Sequence, residues 1–225
     1  MKYFVSIVFI LSTLLVFSQT QNANKLLFAD NFDKDISNWI VEFEKPATST
    51  IQIIHSKLDV SSSAGATIWF KHKLSGNVII TYDAIVIDAG GVSDRVSDFN
   101  AFWMASDPTN VNPFNRNGKF TSYDNLNLYY AGVGGNTNTT TRFRKYHSNG
   151  VKPVLKEFLD KEHLLTGNRF YKVKIIVNNG HIQYFRDETL YWDYLDETPY
   201  KEGWFGFRTT TNHVQFSNFK VFKID

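Results

Sequence analysis

The chain reads as an all-β protein, a single domain built as an antiparallel β-sandwich of jelly-roll type. Three observations predict this. Short apolar stretches alternate with polar residues at a period of two, and turn residues separate them. No segment sustains a long helical period. The chain also carries 20 Phe, 11 Tyr and 5 Trp, rings that suit pleated surfaces and fill sandwich cores, although rings also stack on sugars.

The elements follow in order. Phe28, Phe32, Trp39, Val41 and Phe43 mark a first strand region around an Asp/Asn-rich turn. Residues 51–60 alternate as a strand pair broken at Ser56-Lys57, and residues 66–72 form the next strand before a Ser75-Gly76-Asn77 turn. The run VIITYDAIVI at 78–87 predicts a long, central strand. From Asp88 to Tyr123 glycine, asparagine and proline dominate, with one short strand expected at Phe102-Trp103-Met104. So long an irregular segment predicts a binding or lid loop. A strand follows at 126–133. LKEFLDKEHLL, from Leu155, predicts a short peripheral helical turn. YKVKIIV at 171–177, the Asn178-Asn179-Gly180 turn and HIQYF at 181–185 predict a hairpin. Strands at 190–194, 203–209 and 214–224 close the chain, about a dozen in all.

Lys2 followed by an apolar run from Tyr3 to Phe17 and then Ser18-Gln19-Thr20 predicts a signal peptide over residues 1–19. A linker over 20–26 and the sandwich domain over 27–225 complete the expected organisation. The expected location is secreted or periplasmic, with no membrane association once the leader is removed. The chain has no cysteine, which excludes disulfides, thiolate metal sites and a lipid-modified cysteine. A formal charge of +2 gives no electrostatic footprint for nucleic acid. The six histidines include no pair at ligand spacing, so neither a cofactor nor a catalytic metal is expected. A structural calcium at Asp30–Asp33 is a weak candidate.

The stretch YYAGVGGNTNTTTRFRKYH at 129–147 concentrates candidate chemistry. Alternation sets Arg142, Arg144 and Tyr146 on one side of a strand and Thr141, Phe143, Lys145 and His147 on the other. Two arginines and a tyrosine on one face suit an anionic sugar; a charged strand edge is the competing reading. Arg95 and Asn100 in the long loop, and Arg208, Asn212 and His213 in FRTTTNH, belong to the same chemical class. Each has a structural alternative. Arg95 between Asp94 and Asp98 reads equally as a surface ion pair, His213 as a solvated turn residue, Tyr146 as a packed ring, and Asn136 and Asn138 as turn formers.

These parts fit β-elimination next to a uronate carboxylate. Such a site needs Arg, Asn, Gln or His to neutralise the carboxylate, a base for the C5 proton and an acid for the group leaving C4. His213 is the expected base and Tyr146 the expected acid or second base. Arg208 or Arg144 would neutralise the carboxylate, helped by Asn100, and Trp103 would stack on the sugar.

NFD with Trp39, NNGHIQYF and GWFGFR with SNFKVFKI resemble concanavalin-like jelly rolls. That resemblance implies adjacent terminal strands and a concave sugar-binding sheet. Retaining glycosidases of that fold carry Glu-x-Asp-x-x-Glu on one strand. This chain has no such run, and Asp193, Asp196 and Glu197 do not alternate onto one face, which disfavours hydrolysis by paired carboxylates. DRVSDFNAFWMASDP, YYAGVGGNTNTTTRFRKY and GWFGFRTTTNH together resemble a family of secreted Bacteroidetes proteins labelled as a domain of unknown function, similar to the ulvan oligosaccharide dehydratase. The resemblance spans roughly residues 27–224. It implies a lyase or dehydratase acting on uronic-acid oligosaccharides, with Arg95, Asn100, Trp103, Asn136, Arg142, Arg144, Tyr146, Arg208 and His213 around one pocket. An acidic oligosaccharide or polysaccharide is then the partner. A non-catalytic carbohydrate-binding module is the main alternative, and a glycoside hydrolase a weaker one.

Overall fold

The computed structural model describes residues 24–224; the expected signal peptide lies outside them. Strands in chain order are β1 (Lys25–Asp30), β2 (Trp39–Phe43), β3 (Thr50–Ile53), β4 (Leu58–Ser62), β5 (Ala66–Phe70), β6 (Leu74–Ser75), β7 (Val78–Val86) and β8 (Asn100–Ser106). They continue as β9 (Asn127–Gly134), β10 (Thr140–Tyr146), β11 (Val154–Phe158), β12 (Phe170–Asn178), β13 (His181–Arg186), β14 (Thr189–Leu195), β15 (Glu202–Thr209) and β16 (Asn212–Lys223).

They form two antiparallel sheets, as the alternation predicts. The first runs β14-β13-β12-β7-β16-β4-β3, with β1 also on β16. The second runs β11-β10-β9-β8-β15-β5-β2, with β6 on β15. The terminal strands do lie together, because β16 is long enough to serve two partners, β4 and β1, besides its pairing with β7. Its first half pairs with β4 and its second half with β1. A break in register between Ser217 and Lys220, where Asn218 takes a φ of +53°, shifts its pairing with β7 between the halves.

Period two fills the space between the sheets. Val78, Ile80, Tyr82, Ala84 and Val86 of β7 face Phe205 and Phe207 of β15, Trp103 of β8 and Phe143 of β10 in one core. A second apolar layer lies on the outer face of the second sheet. Trp69, Phe102, Tyr130 and Tyr146 point outward there and meet Tyr123, Leu126, Phe114 and Phe120 from the segment after β8. That segment is tied down by Glu42, whose carboxylate accepts from Trp69 Nε1 at 2.8 Å, Tyr123 Oη at 2.8 Å and the Arg116 amide at 2.7 Å. Arg116 in turn bridges to Asp107 at 2.7 Å and to the Ser122 carbonyl at 2.8 Å. Much of the outer face is therefore covered, which is why all five residues of β5 are buried.

The structure corrects several sequence expectations. β1 takes in Lys25 and Leu26, so the domain starts before residue 27. β8 is a seven-residue strand that begins at Asn100, which therefore belongs to a strand and not to the loop. The expected helical turn at 155 is strand β11 followed by a single turn at Lys161–His163. Its apolar residues lack a helical face because β11 is an edge strand hydrogen-bonded to β10. The calcium candidate at Asp30–Asp33 has its Asp30 carboxylate committed to the Phe32 amide, Asn38 and Trp39 Nε1.

Candidate functional site

The uncovered part of the second sheet's outer face holds a cavity of about 370 Å³. β8, β9, β10 and β15 present Asn100, Tyr130, Gly132, Thr140, Arg142, Arg144 and Arg208 to it. The loop before β8 adds Arg95 and Asp98, and the turn after β9 adds Asn136 and Thr137. Register explains the grouping. β9 and β10 pair Arg142 with Gly132 and Arg144 with Tyr130, and β15 pairs Arg208 with Asn100. Side chains opposite one another on an antiparallel pair share a face.

The turn between β9 and β10 is left-handed. Gly134, Asn136, Thr137 and Asn138 take φ values of +69°, +52°, +59° and +57°. Asparagine tolerates this region, whereas a β-branched threonine is strained there. The turn projects Thr137 towards the loop, where Arg95 Nη1 approaches its Oγ1 at 3.5 Å. Asn138 is its anchor, accepting from the Leu165 amide and donating to the Leu165 carbonyl, both at 2.9 Å.

The four guanidinium groups differ in their pairing. Arg142 is bound to Glu157 across the β10–β11 pair. Arg95 donates to Asp98 at 3.1 Å and to the Thr211 carbonyl at 2.7 Å. Arg144 donates to the Lys152 carbonyl at 2.7 Å. Arg208 is 2% exposed and donates to Thr67 Oγ1 at 3.1 Å and to the Gly118 carbonyl at 2.5 Å. Phe120 and Tyr123 rings flank its guanidinium at 5.4 Å. Among the described residues no carboxylate lies within ion-pair distance of Arg144 or Arg208. Burial works against the charge on Arg208, and Tyr123, Tyr130, Asp98 and Glu44 only partly offset it.

A carboxyl and a phenol line the cavity, and sequence reasoning gave neither a role. Asp98, 8% exposed, sits at a φ of +53° and takes bonds from Ser97 Oγ, Arg95 and, at 3.4 Å, Asn100 Nδ2. Burial raises its carboxyl above the ordinary range, although Ser97, Asn100, Arg95 and Arg208 all pull the other way. Tyr130 stands over Gly132, where a Cβ would lie 2.6 Å from its hydroxyl. Burial pushes this phenol well up, Tyr146 and Asp98 add to that, and Arg208 and Arg144 oppose it. A Tyr-x-Gly spacing facing an Arg-x-Arg strand was the signal that could have singled out Tyr130.

Arg95, Asn100, Asn136, Arg142, Arg144 and Arg208 thus line one cavity. Trp103, Tyr146 and His213 do not. Trp103 faces the opposite side of β8 and is buried between the sheets, stacked on Tyr129 and Phe143 at centroid distances of 5.9 and 6.0 Å. It is a core residue, unable to stack on a sugar. Tyr146 does point to the outer face, yet it is fully buried in the aromatic layer beside Phe102 and Tyr130, and its hydroxyl has no hydrogen-bond partner. Burial raises its phenol strongly, and Asp124 adds to this. His213 lies on β16 of the other sheet, with both ring nitrogens bonded to carboxylates. The expected base and acid therefore do not meet in the cavity. The carboxylates noted near Asp193 are also committed, Asp193 to His181 and Gln183, and Asp196 to Lys145 and Tyr129. Among the described residues no group of three or more His, Asp or Glu is arranged to hold a metal ion.

The model of one protein family matches residues 60–219, described as a domain of unknown function (DUF6250). The chain belongs to that family, and the matched span includes every cavity residue named above. No curated protein matches the chain. Solved structures show the same fold at low identity. A protein of unknown function with a galectin-like fold from Bacillus subtilis is 16% identical, with a TM-score of 0.70 over 89% of this chain and 96% of its own. The carbohydrate-binding module CBM66 from Bacillus subtilis is 15% identical, with a TM-score of 0.57 over 83% and 96%. An endo-β-1,3-glucanase from Pyrococcus furiosus is 11% identical, with a TM-score of 0.61 over 89% and 94%.

Proposed function

For this member of the DUF6250 family we propose a secreted carbohydrate-active role in which the cavity takes an acidic saccharide and eliminates the substituent at C4 of a uronic acid. One observation carries the reading: Arg208 is a buried cation with no carboxylate within ion-pair distance among the described residues, placed at an open cavity. A buried charge without its counter-ion is costly. A uronate carboxylate supplies that counter-ion, and Arg144, which donates to the Lys152 carbonyl, gives it a second contact.

Neutralising the carboxylate acidifies the C5 proton. Asp98 is the base in this scheme, since burial has raised its basicity. Tyr130 is the proton donor in this scheme: it lines the cavity in its protonated form, and Arg208 and Arg144 oppose the burial that would hold the proton back. The C5–H bond breaks with its proton passing to Asp98, the electron pair forms the C4–C5 double bond, and the C4–O bond breaks as Tyr130 protonates the leaving oxygen. Among the described residues the cavity lining contains one carboxyl group, Asp98, which supports elimination over hydrolysis by two carboxylates. The names of the fold's solved relatives and the resemblance of the loop and strand motifs support a saccharide substrate, with uronate-ended ulvan oligosaccharides the first to try.

A second reading is a binding module without catalysis. It is favoured by the placement of His213 and Tyr146 outside the cavity, which leaves Asp98 as the one candidate base among the described residues that line it. One experiment separates the two. Purified protein is incubated with uronate-ended oligosaccharides while the ultraviolet absorbance of the new double bond is followed and binding is measured by calorimetry. Elimination predicts an absorbance rise in the wild type, reduced about a hundredfold or more in Asp98→Asn and Tyr130→Phe, both of which still bind. Binding without absorbance identifies the module. Failure to bind any acidic saccharide overturns both readings.

A further inference from the structure

His213 lies outside the cavity, between two carboxylates. Its Nδ1 meets Asp94 Oδ1 at 3.0 Å and its Nε2 meets Asp59 Oδ2 at 2.8 Å. Asp59 is on β4 of the first sheet, and Asp94 lies in the loop that leads to β8. The second oxygen of Asp94 gathers that loop, accepting the Ala89 amide at 2.9 Å and the Gly91 amide at 3.0 Å. The residue after Asp94 is Arg95, whose guanidinium enters the cavity.

We propose that His213 is a positioning residue, whose protonated ring bridges Asp59 and Asp94, fastens the 88–95 loop to the first sheet and sets Arg95 in the cavity. Only the imidazolium can donate from both nitrogens. A neutral ring keeps one N–H, must give up one bond, and leaves two carboxylates facing a single donor. The other groups around the ring do not take over its charge. Gln215 and Gln52 bond Asp59 at 2.7 and 3.4 Å but are neutral, and Arg95 on the same loop is directed to the Thr211 carbonyl. Burial alone would lower the ring's affinity for its proton; the bonds and charges of Asp59 and Asp94 outweigh this and raise it above the ordinary value. The sign follows. The clamp is complete below the ordinary imidazole range and is lost as pH rises through the raised value.

The loop's far end is held separately, which provides an internal control. The Asp98 amide donates to the Gly134 carbonyl at 3.2 Å, and Asn212 Nδ2 donates to the Asp98 carbonyl at 3.3 Å. Amide hydrogen exchange, corrected for its intrinsic pH dependence, is to be measured from about pH 5 to about pH 9, along with the titration of the His213 ring by NMR. Ala89, Gly91 and Asp94 amides are expected to exchange about tenfold faster or more once the ring has lost its proton, while the Asp98 amide does not change. In His213→Gln the three amides exchange fast throughout, with no step. Wild-type protection that stays flat across the ring's titration overturns the proposal, as does a step that survives in His213→Gln.

The functional consequence rests on the acidic-saccharide reading. Affinity for glucuronic acid should fall across the same titration in the wild type and stay low and level in His213→Gln. An exchange step with no glucuronate binding at any pH supports the clamp and counts against the saccharide reading alone. Binding that ignores a confirmed loop release overturns the link between His213 and Arg95.

Discussion

Arg208 poses the sharpest question at the level of single residues, because it is a buried guanidinium with no carboxylate within ion-pair distance among the described residues. Its bonds to Thr67 and the Gly118 carbonyl satisfy part of its donor fork, and two rings flank it. Replacing a buried charge by an apolar side chain of similar volume is often near neutral for stability. Arg208→Met should therefore change unfolding free energy in urea by no more than ~2 kcal/mol, the cost of two abandoned hydrogen bonds being offset by relief from desolvation. The same variant should lose measurable binding of a uronate-ended oligosaccharide by calorimetry. A destabilisation of ~4 kcal/mol or more would identify the guanidinium as a structural tie and remove the chief support for anion binding. Arg142 and Arg144 stood out in the sequence because alternation fixes which side chains share a face, and Arg208 because its residue type suits a carboxylate. Asp98 did not, since an aspartate three residues from an arginine reads as a surface pair. Only the fold shows that this pair is set into a cavity and that Asp98 is nine-tenths buried.

Among the elements, the hairpin of β9 and β10 builds most of the cavity wall, and its turn carries the strain. Thr137 holds φ +59° and ψ +52° between two asparagines in the same region. Left-handed geometry costs a residue with a Cβ on the order of 1–2 kcal/mol, and asparagine less. Thr137→Asn should accordingly stabilise the protein by ~0.5–1 kcal/mol in chemical denaturation. Strain of this kind gathers at functional sites, so the gain should come with unchanged or weaker saccharide binding. Unchanged stability would mean that the turn has relaxed around the threonine and stores nothing. This hairpin was readable from glycine and alternation. β11 was not, because an edge strand has no clean period and its Leu155, with Leu159 and Leu164 beyond it, suggests a helix. Trp103 misled for a related reason. The run Ala101-Phe102-Trp103-Met104 is apolar on both faces, since the outer face of β8 is covered too, and an all-apolar strand does not reveal which ring points inward. His213 read as a base, or else as a solvated turn residue, and not as a clamp, because its two carboxylate partners are 119 and 154 positions away in the chain.

Seen as a whole, the molecule carries 24 Lys and Arg against 22 Asp and Glu, so its long-range field is weak and its cationic character is local. Two sheets divide the work: one fixes the loop through β4 and β16, and the other offers its outer face as the cavity. A near-neutral chain cannot draw a polyanion from a distance, and counter-ion release along a surface track should contribute little. Recognition instead depends on a few partly desolvated contacts, which salt screens less than it screens exposed pairs. Affinity for a uronate-ended oligosaccharide should then fall only about two- to fivefold between roughly 0.05 and 0.5 M sodium chloride, while any binding of a neutral glucan stays level. Isothermal titration across that series tests the idea with the wild-type protein. A drop of about a hundredfold or more would place the anion on a surface cation track, as for a polyanion binder, and would take it out of the cavity that Arg208 and Arg144 share.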